Sequence, residues 1–228
     1  MGDDDRIYVA EDVIPVYKSM LKLADIITPN AFEVELLTDI KLNTLSDVKK
    51  ALNHLHRNYD VKNIIITSIE LSSNVKGSQL STIISSSDKD SFKTRILQYP
   101  ILQGYYSGVG DLFSALLLAN YELVRNSVKV TTDNSDDFNS IKILSEATER
   151  TVNSIQGVLE NTRKYASSVL PQDIDVDAEG EEGVLKRVIR QKERELRIIQ
   201  SQDLIKVPII EYKSKQLDLD WFYRYVVE

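Results

Sequence analysis

Cysteine is absent from the 228-residue chain. That excludes a disulfide framework, a thiolate metal site and a cysteine nucleophile, and it suits a reducing compartment, the cytoplasm first and the nucleus second. There are only two histidines, His54 and His56. They stand two apart on a helical pattern, so they do not share a face and are not read as a metal pair. No apolar run reaches the roughly 18 residues of a membrane span. The start, "MGDDDRIYVAED", lacks a signal-peptide pattern, and Arg6 stands where a myristoylation signal needs Ser or Thr. Positive charge is short as well: the formal net charge is −7, which argues against a nucleic-acid binder. Neither a membrane nor a nucleic acid is therefore expected as a partner. What remains is enough for one large globular domain, because 42% of the residues are hydrophobic.

Helical and extended patterns alternate along the chain. Residues 11–24 read as a helix, with Pro15 tolerable near its start, and "DIIT" (25–28) reads as a short strand. Residues 46–59 carry Val48, Ala51, Leu52 and Leu55 at helical spacing behind a candidate N-cap, Ser46. "VKNIIITS" (61–68) is a β-branched run of the kind found in buried parallel strands. "QLSTIISSS" and "FKTRILQY" predict two more strands, and 138–169 a long helix. The acidic segment 171–183 predicts a loop, 184–200 a helix with a partial apolar face, and "VPIIEY" (207–212) a strand. The order predicts an α/β fold with a mainly parallel sheet. Few strands look centrally buried, so the sheet is expected to be small or to lack its first strands.

Four stretches carry candidate chemistry. "GVGDLFSALLLA" (108–119) sets Gly108, Val109 and Gly110 before Asp111 and an apolar run. Glycines let a bulky ligand approach the backbone, and a helix N-terminus attracts phosphate. Asp111 is a helix cap on the plain reading and a general base on the functional one. The run after it, hydrophobic all round, predicts a helix buried in the core. In "TPNAFEVELLT" (28–38), Asn30 and Glu33 have capping-box spacing. Alternatively they hold Mg²⁺ and its waters at the C-terminal end of a strand. Thr67 and Ser68 close the buried strand 61–68, and the run "GDDD" (2–5) is a solvated loop or supplies a metal ligand.

Three blocks together, "MGDDDRIYVAEDVIPVYKSMLKLADIITPNAFEVELLT", "IIITS" and "SGVGDLFSALLLA", resemble the pyridoxal kinases of the ribokinase-like superfamily. The resemblance covers residues 1 to about 168 and returns in "RIIQSQDLI" (197–205). It implies a ribokinase-like, mainly parallel sheet flanked by helices. It implies transfer of the ATP γ-phosphate to the 5′-hydroxymethyl group of pyridoxal, pyridoxine or pyridoxamine, with Mg²⁺, a monovalent cation, and a homodimer in the full-length form. Carried onto this sequence, Asp111 matches the catalytic base and Gly108 and Gly110 the anion-hole glycines. Asn30 and Glu33 match Mg–phosphate positions, and Thr67 and Ser68 an ATP-contacting strand end. Thr28 matches a position near the monovalent cation, Asp3 an acidic residue near the metal, and Tyr8 a tyrosine on the nucleotide side.

The chain departs from the family in three places. Val109 replaces a threonine between the glycines, and Gln156 and Gly157 stand where histidines are frequent near the adenine. The chain also begins in the middle of the family pattern, with about a hundred residues unmatched before Met1. That shortfall predicts an N-terminally truncated enzyme, incomplete on its own. Residues 1–170 are expected to form the nucleotide and catalytic half of one kinase domain, 171–183 a mobile loop, and 184–228 a helix and strand completing it. Two alternatives stand beside this reading. One is a non-catalytic fragment or partner-dependent nucleotide-binding module, and the other a hydroxymethylpyrimidine or sugar kinase of the same superfamily.

Overall fold

A computed structural model describes residues 2–3, 6–70, 79–87, 91–129, 136–175 and 183–219. Two compact units divide the chain. The first comprises Met1–Ile101, Val128–Glu146 and Lys213–Glu228, and the second Leu102–Ser127 and Ala147–Tyr212.

The first unit opens with a two-stranded antiparallel ribbon, β1 (Gly2–Asp3) against β2 (Arg6–Ile7). Helix α1 (Val13–Met20) and a 3-10 turn (Leu21–Leu23) lead to β3 (Ile26–Ile27). Helices α2 (Ala31–Thr38) and α3 (Leu45–Asn58) cross over to β4 (Asn63–Ile69), which pairs parallel with β3. Strands β5 (Gln79–Ser87), β6 (Phe92–Pro100) and β7 (Lys215–Gln216) then add antiparallel, giving the order β3-β4-β5-β6-β7.

The helix-flanked α/β sheet of the sequence reading is present. Its expected parallel character is present in part: among the described residues β3 and β4 run parallel, and the other pairings of this sheet are antiparallel. The reason is connection length. A parallel return needs a crossover, which α2 and α3 provide, whereas short connections force β4, β5 and β6 to alternate in direction.

One face of the sheet supplies the core of this unit. Ile64, Ile66 and Ile83 pack with Val34 and Leu37 of α2 and with Val48, Leu52 and Leu55 of α3, all essentially sealed from solvent. Ile65, Ile84 and Leu97 alternate to the opposite face and are also fully buried. Helix α3 begins one residue before the expected cap. Thr44, not Ser46, is the N-cap, in a reciprocal box with Asp47. Asp47, in its first turn, has its carboxyl pKa lowered chiefly by the Thr44 hydroxyl. His56 of α3 is buried, its Nδ1 2.6 Å from the Val61 carbonyl oxygen and its Nε2 2.7 Å from Ser85 Oγ. Burial lowers its pKa below the usual histidine range.

In the second unit, the long helix α4 (Val109–Lys129) buries Phe113, Leu117, Asn120 and Val124, a stripe at helical spacing. The expectation of burial all round fails. Leu118 is 64% and Leu123 55% exposed, because the apolar run supplies more hydrophobic surface than one packed face can cover. Helix α5 (Asp136–Val169) matches the predicted long helix. Part of the expected 171–183 loop is the short helix α6 (Gln172–Asp175), and residues 176–182 lie outside the described residues. Helix α7 (Val184–Glu193) is shorter than predicted. A 3-10 turn (Ile199–Ser201) and α8 (Gln202–Lys206) follow it.

The segment 207–212 is not a strand. The Asn153 carboxamide of α5 accepts the N–H groups of Glu211 and Tyr212 and donates to the Tyr212 carbonyl, doing in one side chain what a ladder would do. Gly157 of α5 adjoins this packing. A Cβ there would lie 2.8 Å from Leu204 Cδ1, so a larger residue would require the end of the Leu204 side chain to shift.

Candidate functional site

In the first unit the candidate residues are joined by backbone and side-chain hydrogen bonds. Asn30 caps α2: its Oδ1 accepts the Glu33 N–H at 2.7 Å, and the Glu33 carboxylate accepts the Asn30 N–H at 3.1 Å. The capping box read from the spacing is therefore real. The amide end of Asn30 has a second partner, donating to the Gly2 carbonyl at 2.9 Å and so tying the start of α2 to β1. Pro29 accepts the Thr67 N–H at 3.0 Å, which continues the parallel register past the end of β3. Three stretches far apart in sequence, 2–3, 28–33 and 67–68, are thus stitched together at the C-terminal ends of β3 and β4. Open α/β sheets bind ligands at such ends. Thr28, Asn30, Glu33, Thr67 and Ser68 are all half-buried there, and Tyr8 is 71% exposed. Of Asp3 only the backbone, paired with Arg6 in the ribbon, is described.

Strand β4 changes register at this point. Ile66 pairs with Ile83 and Ile69 with Ser81, so Thr67 and Ser68 together oppose the single residue Thr82. This is a β-bulge, which re-aims side chains and is frequent beside functional sites. The Thr67 carbonyl accepts Thr82 Oγ1 at 2.8 Å and the Tyr99 hydroxyl at 2.9 Å. Neither Thr82 nor Tyr99 is distinguished in the sequence from an ordinary strand residue. The signal that could have marked them is a threonine and a tyrosine among the buried aliphatic positions of β5 and β6.

In the second unit Gly108 has φ +83°, a conformation that side chains rarely adopt, and it leads directly into α4. The first ladder bond of the helix runs from the Leu112 N–H to the Gly108 carbonyl at 3.0 Å. The N–H groups of Val109, Gly110 and Asp111 therefore have no intrahelical acceptor. A Cβ at Gly110 would meet no atom within 4 Å, so the backbone there adjoins open space. Asp111 is the third residue of the helix rather than its cap. It is exposed and makes no hydrogen bond or ion pair among the described residues.

The loop before Gly108 has a support that the sequence did not reveal. Arg194, 6% exposed, lies under it, with its guanidinium carbon 6.0 Å from the Tyr106 ring centroid and Nη1 3.0 Å from where a Gly104 Cβ would stand. Gln156 is buried, and its Oε1 has no hydrogen-bond partner among the described residues.

The oxygen donors of the first unit suit a hard cation bound mainly through phosphate and water, since they include a half-buried carboxylate, Glu33, and the Thr28 hydroxyl. No group of three or more histidine, aspartate or glutamate side chains gathers into a metal cage among the described residues. Among the described residues, too, no helix is long and apolar enough to cross a membrane.

Comparison with known proteins agrees with this architecture. Residues 2–157 match the family described as phosphomethylpyrimidine kinase. A putative pyridoxal kinase of Schizosaccharomyces pombe is 35% identical over 203 residues, 89% of this chain and 57% of its own length. The pyridoxal kinase of Homo sapiens is 31% identical over 221 residues, 94% of this chain and 61% of its own length. The solved pyridoxal kinase of Leishmania donovani with ADP and pyridoxamine superposes with a TM-score of 0.71 at 24% identity, over 96% of this chain and 60% of that one. The Plasmodium falciparum PdxK with AMP-PNP and PL gives 0.67 at 27% identity, over 96% and 58%. The chain thus spans about three-fifths of the length of these relatives. With the fold shared and 2–157 matched, the chain belongs to the phosphomethylpyrimidine kinase family, and pyridoxal kinases are among its relatives.

Proposed function

We propose that the protein carrying this chain phosphorylates the 5′-hydroxymethyl group of pyridoxal, pyridoxine or pyridoxamine with ATP. The observation that carries the reading is the stitching of Gly2, Asn30 and Thr67 at the ends of β3 and β4. A second observation, made within the other unit, is the glycine-led helix start at Gly108–Asp111, with open space where a Gly110 Cβ would stand.

In this reading Thr67, Ser68 and Tyr8 face the nucleotide. Asn30 and Glu33 position its phosphates, and Gly108, Val109 and Gly110 present backbone N–H groups to the transferring phosphoryl. Those N–H groups do not depend on a side chain, so Val109 in place of threonine leaves them available. Asp111 accepts the proton of the attacking hydroxyl. Its exposure, with no partner among the described residues, leaves its carboxylate available for that task. Most of the rate then comes from positioning and from preorganised dipoles rather than from covalent chemistry. Asp3, Thr28 and Glu33, together with the phosphates, would hold Mg²⁺, which would supply neutralising charge, and Thr28 would border a monovalent cation. Residues 1–170 and 184–228 contribute to one kinase domain. The whole protein acts as a homodimer in the cytoplasm.

The partial span of the relatives favours a second reading, in which this chain alone binds nucleotide without transferring phosphate. Equimolar MgATP and pyridoxal, followed by pyridoxal phosphate absorbance alongside calorimetric MgATP binding, separates the two. Product formation that Asp111→Asn abolishes while MgATP still binds is the result expected of the enzyme. MgATP binding without product assigns the chain to the second reading. Phosphorylation of a hydroxymethylpyrimidine instead of pyridoxal overturns the substrate assignment, and absence of MgATP binding overturns both readings.

A further inference from the structure

The bulge in β4 is held open by two buried hydroxyls. Thr82 is fully buried on β5 and Tyr99 7% exposed on β6, and both reach the Thr67 carbonyl. Their own oxygens are 3.1 Å apart. Two hydroxyl protons therefore serve three contacts. Whichever of the two donates to the other, the acceptor's own proton still goes to Thr67, and in the remaining arrangement both do. The carbonyl is bonded in every case. Burial also raises the Tyr99 pKa, so the phenol keeps its proton. The Thr67 N–H is meanwhile fixed to Pro29. Both main-chain polar groups of Thr67 are thus spoken for from inside the protein, and the Thr67 and Ser68 side chains are left half-exposed at the strand end.

We propose that Thr82 and Tyr99 are positioning residues that hold the 66–69 bulge, and so set the Thr67 and Ser68 hydroxyls for the nucleotide. This rests on the reading of Thr67 and Ser68 as nucleotide-facing. A regular β4 would pair Thr67 with β5 and turn Thr67 and Ser68 to opposite faces. The bulge breaks that alternation, and without a bond from at least one of the two hydroxyls it would leave the Thr67 carbonyl short of a partner inside the protein. Either hydroxyl removes that penalty, and apolar residues at both positions would restore it.

The test uses the full 228-residue chain with Tyr99→Phe, Thr82→Val, the double variant and Thr82→Ser. It reads MgATP affinity by calorimetry and amide hydrogen exchange at residues 67–69 by NMR. Because either hydroxyl alone can serve the carbonyl, each single loss is expected to weaken MgATP by about twofold, and the double by about tenfold, more than the product of the singles. Exchange at 67–69 should rise in the double variant while β5 and β6 amides away from the bulge stay protected. Thr82→Ser keeps the hydroxyl and should match the parent.

Unchanged exchange at 67–69 in the double variant overturns the clamp. Faster exchange with unchanged MgATP affinity overturns its role in positioning. A parent chain that binds no MgATP overturns the nucleotide reading itself, and the exchange data then report on the clamp alone. If the double variant does not fold, the two single variants decide: MgATP affinity at the parent level in both overturns the role in positioning. A multiplicative rather than greater-than-multiplicative pattern would show that the two hydroxyls do not share the load.

Discussion

Two helix starts in this molecule solve the same physical problem in opposite ways. Both α2 and α4 begin with N–H groups that the helix itself cannot satisfy. At α2 the answer is internal: Asn30 and Glu33 close on each other, and the spare amide end of Asn30 reaches Gly2. At α4 the preceding residue is Gly108, which has no side chain to cap with, and the space beside Gly110 is empty. A helix start closed by its own sequence contributes stability. One opened by glycines gives up part of that stability and keeps donors and the positive end of the dipole for an anion. The contrast teaches that the same three-residue spacing, N-cap to acid, has different consequences. At α2 the acid, Glu33, folds back, whereas at α4 the acid, Asp111, is left exposed, with no side-chain bond among the described residues.

The largest effect that could break this contrast is at Asp111. If Asp111 is the base, Asp111→Asn in the enzyme should lower turnover by about 10²–10⁴ with MgATP affinity nearly unchanged. A loss below tenfold in steady-state assays would reduce Asp111 to a first-turn dipole partner, no different from Glu33. Next comes Asn30→Ala, which removes the cap of α2 and the tie to Gly2 and should cost about 1–2 kcal/mol in urea unfolding. Asn30→Asp sharpens the point, since it keeps the capping oxygen but loses the donor to Gly2. It should keep most of the stability, and a loss as large as alanine's would show that the Gly2 tie, not the cap, dominates.

Gly110→Ala probes the open side of the comparison. Alanine is the better helix former by about 1 kcal/mol, and no atom stands in its way, so melting temperature should hold or rise. MgATP affinity should nevertheless fall, because a methyl group would occupy the space before the N–H groups. Unchanged affinity would mean that no anion approaches there.

The smallest effect expected is electrostatic and lies away from both helix starts. Burial depresses the pKa of His56, so the unfolded chain takes up a proton more readily than the folded one. The resulting stability is fully present above the unfolded value of about 6.5 and is lost as pH falls from there toward the lower folded pKa. Melting curves from about pH 7.5 to pH 5 should show that decline, and His56→Gln should flatten it. A slope unaltered by the substitution would assign the acid sensitivity to other groups.

Much of this was legible in the sequence, for a definite reason. Capping boxes, helical apolar stripes and β-branched runs are local, and locality survives without knowledge of the fold. Asn30 and Glu33 were readable as a box, and 61–68 and 138–169 as a strand and a helix, because each signal is contained in a few turns or pleats of chain. The errors arose where the partner was distant. "VPIIEY" has the composition of a strand, yet Asn153, more than fifty residues away, takes its N–H groups. The apolar run of α4 reads as a core helix, yet only one stripe of it is covered.

By itself, then, the sequence determined the principal helices and strands and their order, the capping of α2, the glycine-led entry to α4 and the family to which all these belong. Only the tertiary structure decided the direction of the strands, because direction depends on which connections are long enough to cross over. It alone decided that Thr67 and Ser68 share a bulge, since a bulge is a mismatch between two strands and is written in neither. It also decided what holds that bulge: Thr82 and Tyr99 become meaningful only when folding brings two hydroxyls from separate strands to one carbonyl oxygen. A buried carbonyl must be satisfied by whatever reaches it, and reach is a property of three dimensions.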